Sequence, residues 1–390
     1  MEALRFTGSG SEYFKIWIVN VLLTIITLGF YLPWAKARNR RYFYANSTLS
    51  SRNFEYHATG KQLFIGFLIA MVFFIAYNLT ARVSPEGSLI LLMVLFIAIP
   101  WLIWRSLMFN MRVTSFSNVH FSFTGKLGKA YLNYFLYPLF LIIAFYGAPI
   151  AMAIVAPSLR HGSSSSVMTV LSIVMFLSWI FAFYLFAVIK KRNTEYLINN
   201  SRYGQGIFET KLETKKFLMI NLKTMGLGIL VMAVLGIILG TLGGMNNIMM
   251  LSSNPEAMRH GRLPEGFAVS IAIAYFIMIF GMMLIMSYTI SRQRSYVYEN
   301  TLLDNKIAFE STLTARSFAW VMLSNVFLVL FTLGLAFPWA KVRMAKLMIE
   351  NTLVDTEVGF DAYLSKKEDE QSSLGEQIGD AFDVDVGVAF

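Results

Sequence analysis

Eight apolar runs, at about 14–34, 62–80, 88–109, 131–156, 167–189, 217–242, 267–290 and 318–339, leave this chain few ways to fold. A hydrocarbon layer of about 30 Å is crossed by roughly 20 apolar residues in a helix, and most of the runs have about that length. With 56% hydrophobic and 14% charged residues, the chain cannot hide its apolar surface in one soluble core. The runs do not alternate in the ten-residue pattern of a transmembrane barrel. The expected class is therefore an all-α polytopic membrane protein, with one membrane domain over 1–360 and an acidic, disordered cytoplasmic tail over 361–390. The opening residues MEALRFTGSGSEYF lack the basic, apolar and small-residue succession of a cleaved signal, so the first run should stay in the membrane.

The loops between the runs divide by charge. Residues 35–61 carry Lys36, Arg38, Arg40, Arg41, Arg52 and Lys61; 105–130 carry Arg105, Arg112, Lys126 and Lys129; 190–216 are similarly basic. The intervening stretches 81–87, 157–166 and 243–266 are poor in Lys and Arg. The basic loops, and with them both termini, are expected in the cytoplasm. The net charge of +10 is read as orientation and contact with anionic phospholipid, not as nucleic-acid binding.

The basic loops also resemble one another. The copies are NSTLSSRNFEYHATG (46–60), RVTSFSNVHFSFTGK (112–126), NNSRYGQGIFETKL (199–212), NTLLDNKIAFESTL (300–313) and NTLVDTEVGFDAYL (351–364). Phe54, Phe121, Phe208, Phe309 and Phe360 hold matching places in them. Turn-favouring pairs, Ser117-Asn118, Gly204-Gln205 and Asp304-Asn305, divide β-prone runs, so each copy reads as a helix stop followed by a β-hairpin. Arg5-Phe6-Thr7-Gly8 resembles the second strand of such a unit standing alone.

If all copies share one face, two apolar runs separate most neighbours, but a single run of about 22 residues separates the N-terminal fragment from copy one, and copy four from copy five. Such a run must turn back within the bilayer. There the stretch TLGFYLPWAKARNRRYFYAN (27–46) recurs as TLGLAFPWAKVRMAKLMIEN (332–351). Gly29 and Gly334 can interrupt a helix, and Pro33 and Pro338 prevent it from continuing unbroken. The expectation is six spanning helices plus two re-entrant or interfacial hairpins at about 14–34 and 318–339; the alternative is eight spans.

No sequence signature of catalysis stands out, and the chain is read as a non-enzyme without cofactor or metal. It has no cysteine, which removes disulfides and thiolate sites. His57, His120, His161 and His260 are far apart in sequence and form no HExxH pair. The tripeptides Arg160-His161-Gly162 and Arg259-His260-Gly261 read as a chance repeat in external loops. Methionines such as Met278, Met282, Met283 and Met286 read as adaptable packing.

Asn20 and Asn325 hold equivalent places before the two Thr-Leu-Gly turns. With Gly29 and Gly334 they form a candidate pathway; the plainer reading is hydrogen bonding between helices. Trp34, Lys36, Arg38, Trp339, Lys341 and Arg343 are candidate contacts for headgroups or anions, with anchoring at the membrane boundary as the plainer reading. Gly236, Gly240 and Gly244 form a close-packing helix face whose partner, in the same or another copy of the chain, stays open.

At TLGxxxPWAKxR and the Phe-containing hairpins the chain resembles the YjgN-like bacterial inner-membrane proteins, a family of unknown function. The resemblance implies a bacterial inner membrane and a polytopic fold, and no reaction. Two functions are expected: transport or permeation of a small solute or lipid through the bundle, or a non-catalytic scaffold whose hairpins bind a protein partner or anionic lipid.

Overall fold

The computed structural model describes residues 1–155, 165–241, 266–356, 360 and 362–369. Six helices are long and apolar enough to cross a membrane, and all lie in the expected runs. They are α3 (Gly60–Val83), α4 (Pro85–Arg112), α5 with α6 (Leu127–Tyr131, Tyr137–Val155, joined by a π turn over Leu132–Leu136), α7 (Ser165–Asn199), α8 (Thr214–Thr241) and α9 (Phe267–Glu299). Their starts are set by side-chain caps where the sequence supplies them. Thr59 and Gln62 form a reciprocal capping box at α3, and the Ser84 hydroxyl accepts from Gly87 N at α4.

The first and last apolar runs each hold one shorter helix, α1 (Gly10–Ile26) and α10 (Ala315–Phe331), and are broken near their ends. A second helix, α2 (Leu32–Ala45) or α11 (Phe337–Glu350), starts at the edge of the run and carries the basic stretch beyond it. Both breaks use one device. Leu28 and Gly29 have φ of 50° and 94°, and Leu333 and Gly334 have 51° and 91°. The Thr27 hydroxyl donates to Leu23 O and accepts from Tyr31 N; Thr332 likewise donates to Leu328 O and accepts from Ala336 N. One side chain thus ties the last turn of one helix to the start of the next, where Pro33 and Pro338 enter without needing a backbone donor.

The all-α expectation is overturned by the sheet. Eleven short strands form one antiparallel barrel-like sheet among the described residues: β1 (Glu2–Ala3), β2 (Arg5–Phe6), β3 (Ser47–Leu49), β4 (Arg52–Tyr56), β5 (Thr114–Phe116), β6 (Val119–Phe123), β7 (Ser201–Tyr203), β8 (Gly206–Thr210), β9 (Thr301–Leu303), β10 (Ile307–Ser311) and β11 (Thr352–Val354). The expected hairpins exist at the first four copies. Two-residue turns with positive φ at both positions close three of them: Ser50-Ser51, Ser117-Asn118 and Asp304-Asn305. What isolated hairpins did not convey is that each also pairs with the next, β4 with β5, β6 with β7, β8 with β9 and β10 with β11. The ends then meet. β1 pairs with β11 and β2 with β3, and Leu4 between them donates its N–H to Thr352 O. Five residues at the N-terminus therefore bridge both edges of the sheet and close it, leaving no open edge among the described residues.

Among the described residues the fifth copy accordingly forms no hairpin. Its first strand is β11, its partner is the N-terminal segment, and Phe360 lies outside the strands. Among the described residues two membrane-side helical segments run between consecutive strands of different hairpins, so a strand–helix–helix–strand unit occurs five times around the barrel. The second helix of each unit packs on the first helix of the next, and α11 packs on α1 to complete the circuit. Residues 362–369 are helical; the rest of the expected tail, 361 and 370–390, lies outside the described residues.

Candidate functional site

The barrel's inner face is built by alternation. The third residue of each short strand, Leu49, Phe116, Tyr203, Leu303 and Val354, is buried, and opposite them in register stand Phe54, Phe121, Phe208 and Phe309. Leu4 takes the fifth place in that second tier. The rings interlock, with Phe54 and Phe116 centroids 4.6 Å apart, Phe121 and Tyr203 5.2 Å, and Phe208 and Phe309 6.0 Å. Four of the phenylalanines picked out by spacing thus share one layer. Phe360, the fifth, reaches the same core from the C-terminal segment.

At the helix end the barrel is ringed by hydroxyls. Ser47, Thr114, Ser201, Thr301 and Thr352 begin the short strands, and each donates to the carbonyl four residues earlier, at 2.7, 2.8, 2.7, 2.7 and 3.1 Å. Asn46, Asn200, Asn300 and Asn351 donate side-chain N–H groups to neighbouring helix carbonyls. These bonds satisfy C-terminal carbonyls that the ended helices leave open. The recurrent Asn-Ser or Asn-Thr pair is therefore a helix terminator.

Between these layers lies a cavity of about 610 Å³. Its walls are the aromatic and aliphatic tiers, and Met111, Leu197, Ile198 and Val297 extend it to the helix ends. Phe360, Tyr363 and Leu364 line it too, with Leu364 1% exposed. The C-terminal helix is latched at a hairpin tip: Asp304 accepts from Ile207 N at 2.7 Å and from the Tyr363 hydroxyl at 2.8 Å, and Lys367 Nζ lies 3.2 Å from its carboxylate. Burial pushes the Asp304 pKa up, but these donors and the Lys367 charge outweigh it and hold the carboxyl below its ordinary value. Asn118 donates to Glu368 beside it.

The pathway candidates lie elsewhere. Asn20, Asn325, Gly29 and Gly334 do not line the cavity. Asn20 and Asn325 are buried and tie each helix pair together: Asn20 donates to Asn39 Oδ1 at 3.0 Å, and Asn325 donates to Ala340 O at 2.9 Å and accepts from Arg343 at 3.0 Å. Gly29 and Gly334 form the helix breaks.

Of the boundary residues, Trp34 and Trp339 are set against the glycines that begin the next unit. A Cβ built on Gly60 would lie 2.2 Å from Trp34, and one on Gly10 would lie 2.2 Å from Trp339. Trp104 does related work through a hydrogen bond to Gly125 O at 2.6 Å. The signal for this contact was present in sequence as Trp34, Trp104 and Trp339 at the edges of basic stretches and as glycines after three of the strands, at Gly10, Gly60 and Gly125. Lys36 and Arg38 are exposed, whereas Lys341 binds Tyr13. Open space surrounds Gly236 and Gly240, and Gly244 lies outside the described residues, as do His161 and His260 with their tripeptides. His57 and His120, distant in sequence, are brought to 4.9 Å by strand pairing. Among the described residues no three ligating side chains gather as a metal site would require.

The family model for bacterial proteins of unknown function DUF898 matches residues 1–381. The inner membrane protein YjgN of Salmonella typhimurium LT2 is 28% identical over 357 residues, covering 90% of this chain and 88% of that protein. YjgN of Escherichia coli O157:H7 is 29% identical, covering 89% and 87%, and YjgN of strain K12 is 29% identical with the same coverage. No solved structure matches the chain.

Proposed function

The chain belongs to the DUF898 family, and on that footing we propose that it is a lipid-handling protein of the bacterial inner membrane, which takes an acyl chain into its barrel. The observation that carries this reading is the cavity of about 610 Å³ walled mainly by Phe, Tyr, Leu, Ile, Val and Met side chains, the hydroxyls of Thr114, Ser201, Thr301 and Thr352 being engaged with helix carbonyls. A permeant ion or sugar would need polar groups in place of its hydration, and these walls offer few. A methylene chain gains about 0.8 kcal/mol per buried CH2. The membrane helices support the same reading. Apolar side chains cover their exposed surface, and few residues of these helices are buried by protein, as expected where lipid surrounds them.

In this scheme the five units arose by internal duplication, the barrel is cytoplasmic, and the two end pairs re-enter the bilayer without crossing it. The basic helix ends support that orientation. Pairing of each hairpin with the next, and of β1 with β11 and β2 with β3, occupies the sheet edges among the described residues, which favours lipid capture over a scaffold that recruits a partner by strand addition. The test is photo-crosslinking of the full-length protein in membranes containing a phosphatidylglycerol with a diazirine near the end of one acyl chain. Adducts on Phe121, Phe208 or Phe309 peptides are expected; adducts confined to the spanning helices sink the proposal.

A further inference from the structure

We propose that a cleft between α8 and α9, separate from the barrel cavity, binds the phosphate of an anionic phospholipid. Its lining is Lys216, Met219, Ile220 and Lys223 from α8 and Tyr288, Arg292 and Tyr296 from α9, around a space of about 310 Å³. The spacing makes each set one helix face. Positions 216, 219, 220 and 223 repeat every three or four residues, as do 288, 292 and 296. Two separate stretches of sequence therefore place three cations and two phenols around one opening.

The chemistry of the lining is that of a phosphate site. Lys216, Lys223 and Arg292 are exposed, and none has a carboxylate partner among the described residues. The Arg292 guanidinium lies over the Tyr288 ring at 5.9 Å from its centroid, which holds it beside the cleft. Tyr296 is fixed from the other side: its oxygen accepts Glu213 N at 2.7 Å, and its ring meets Phe217 edge-on. Met219 and Ile220 supply an apolar wall on which glycerol and the first methylenes can rest.

Its place in the fold selects lipid over a soluble anion. Lys216 lies near the start of α8 and Lys223 two turns on, about 10 Å along the axis at 1.5 Å per residue. Beyond Lys223 the helix becomes the apolar stretch that spans the membrane. The cations thus occupy the headgroup level of a membrane helix, facing a cleft between two spans, where a diacyl phosphate arrives with its tails already in hydrocarbon.

The test titrates delipidated full-length protein in neutral detergent with phosphatidylglycerol or phosphatidylcholine and counts bound lipid by native mass spectrometry. Wild type should bind phosphatidylglycerol in preference to phosphatidylcholine. The Lys216→Gln, Lys223→Gln, Arg292→Gln variant should lose at least roughly tenfold in apparent phosphatidylglycerol affinity, given about fivefold for each cation near a membrane surface. A control with Lys15→Gln, Lys61→Gln and Lys129→Gln, exposed lysines near the starts of other helices, should keep it. Equal loss in both triple variants, or loss in neither, overturns the site. Displacement of phosphatidylglycerol by millimolar inorganic phosphate overturns the choice of lipid over free anion. Should the triple variant aggregate, Lys223→Gln alone should still weaken binding and Arg292→Lys should retain it; the reverse order overturns the proposal.

Discussion

The Lys341 ammonium donates to the Tyr13 hydroxyl at 3.0 Å, joining residues 328 apart in the chain. It also lies over the rings of Tyr13 and Phe43, 5.3 and 5.1 Å from their centroids. Together with the pairing of β1 to β11, this contact seats the last unit against the first. Lys36 holds the matching place in the first unit and is exposed, although the two stretches share Pro-Trp-Ala-Lys. One motif therefore does two jobs, and the neighbour decides which: α11 meets Tyr13, whereas α2 packs on α3, which opens Gly60-Lys61-Gln62-Leu63.

Ring closure should be sensitive to one methyl group. Gly10→Ala places a carbon against the Trp339 indole, and its neighbours must shift; overpacking of this kind costs typically about 1–3 kcal/mol. Gly60→Ala should cost a similar amount against Trp34, while Gly66→Ala, where a Cβ meets nothing within 4 Å, should cost nothing measurable. Thermal unfolding in detergent checks the order. Trp339→Leu combined with Gly10→Ala should recover part of the loss.

Much of this fold was legible from local signals. The six spans follow from run length, and the two breaks follow from Thr-Leu-Gly with Pro, whose Gly29 and Gly334 do adopt positive φ. The hairpin turns at Ser117-Asn118 and Asp304-Asn305 were visible as residue pairs. The closed barrel was not, because pairing between hairpins joins residues such as Phe121 and Tyr203 across two membrane helices and leaves no local trace. One clue did exist: a lone second strand at Arg5-Phe6 and a final copy that needed one. Phe360 misled because its spacing from Asn351 matches the other copies, while its side chain reaches the core from outside the sheet. The cavity was illegible for the same reason, and polar Asn20 and Asn325 drew attention to helix contacts instead.

Within the barrel, Phe208→Ser should weaken both stability and lipid capture. The ring lines the cavity and sits in register with Leu303, so its loss forfeits packing on one side only. A cost below about 3 kcal/mol is expected, at or under the low end for core Phe truncation. The added hydroxyl would face an apolar wall. Reduced diazirine adducts on the neighbouring Phe309 peptide would accompany it; unchanged adducts would count against acyl binding in this cavity.

The C-terminal latch should weaken in acid. The folded-state pKa of Asp304 lies below its ordinary 3.8, so its contribution is complete above that value and is lost as pH falls through the depressed one. Hydrogen exchange of residues 362–369 should therefore rise, after correction for intrinsic rates, as pH drops below about 4. Asp304→Asn should show the raised exchange already at neutral pH and little further change on acidification, since it keeps an acceptor but loses the charge facing Lys367.

Asn20 and Asn325 should respond unequally to the same replacement, though they hold matching places. Asn325 serves two partners, Ala340 O and the Arg343 guanidinium, which also donates to Ser324 at 2.9 Å. Asn325→Leu removes the charge-assisted bond and leaves Arg343 tied only through Ser324, a loss of about 1.5–3 kcal/mol. In Asn20 the amide donates to Asn39, but its buried Oδ1 has no hydrogen-bond partner. Asn20→Leu gives up one neutral bond, worth about 1 kcal/mol, and at the same time removes an unsatisfied acceptor, so the two changes offset. Thermal unfolding of the single variants should rank Asn325→Leu well below Asn20→Leu, with neither altering lipid adducts in the barrel. If both instead left stability untouched and abolished lipid capture, the two residues would belong to a route through the bundle, and their role as ties between paired helices would fall.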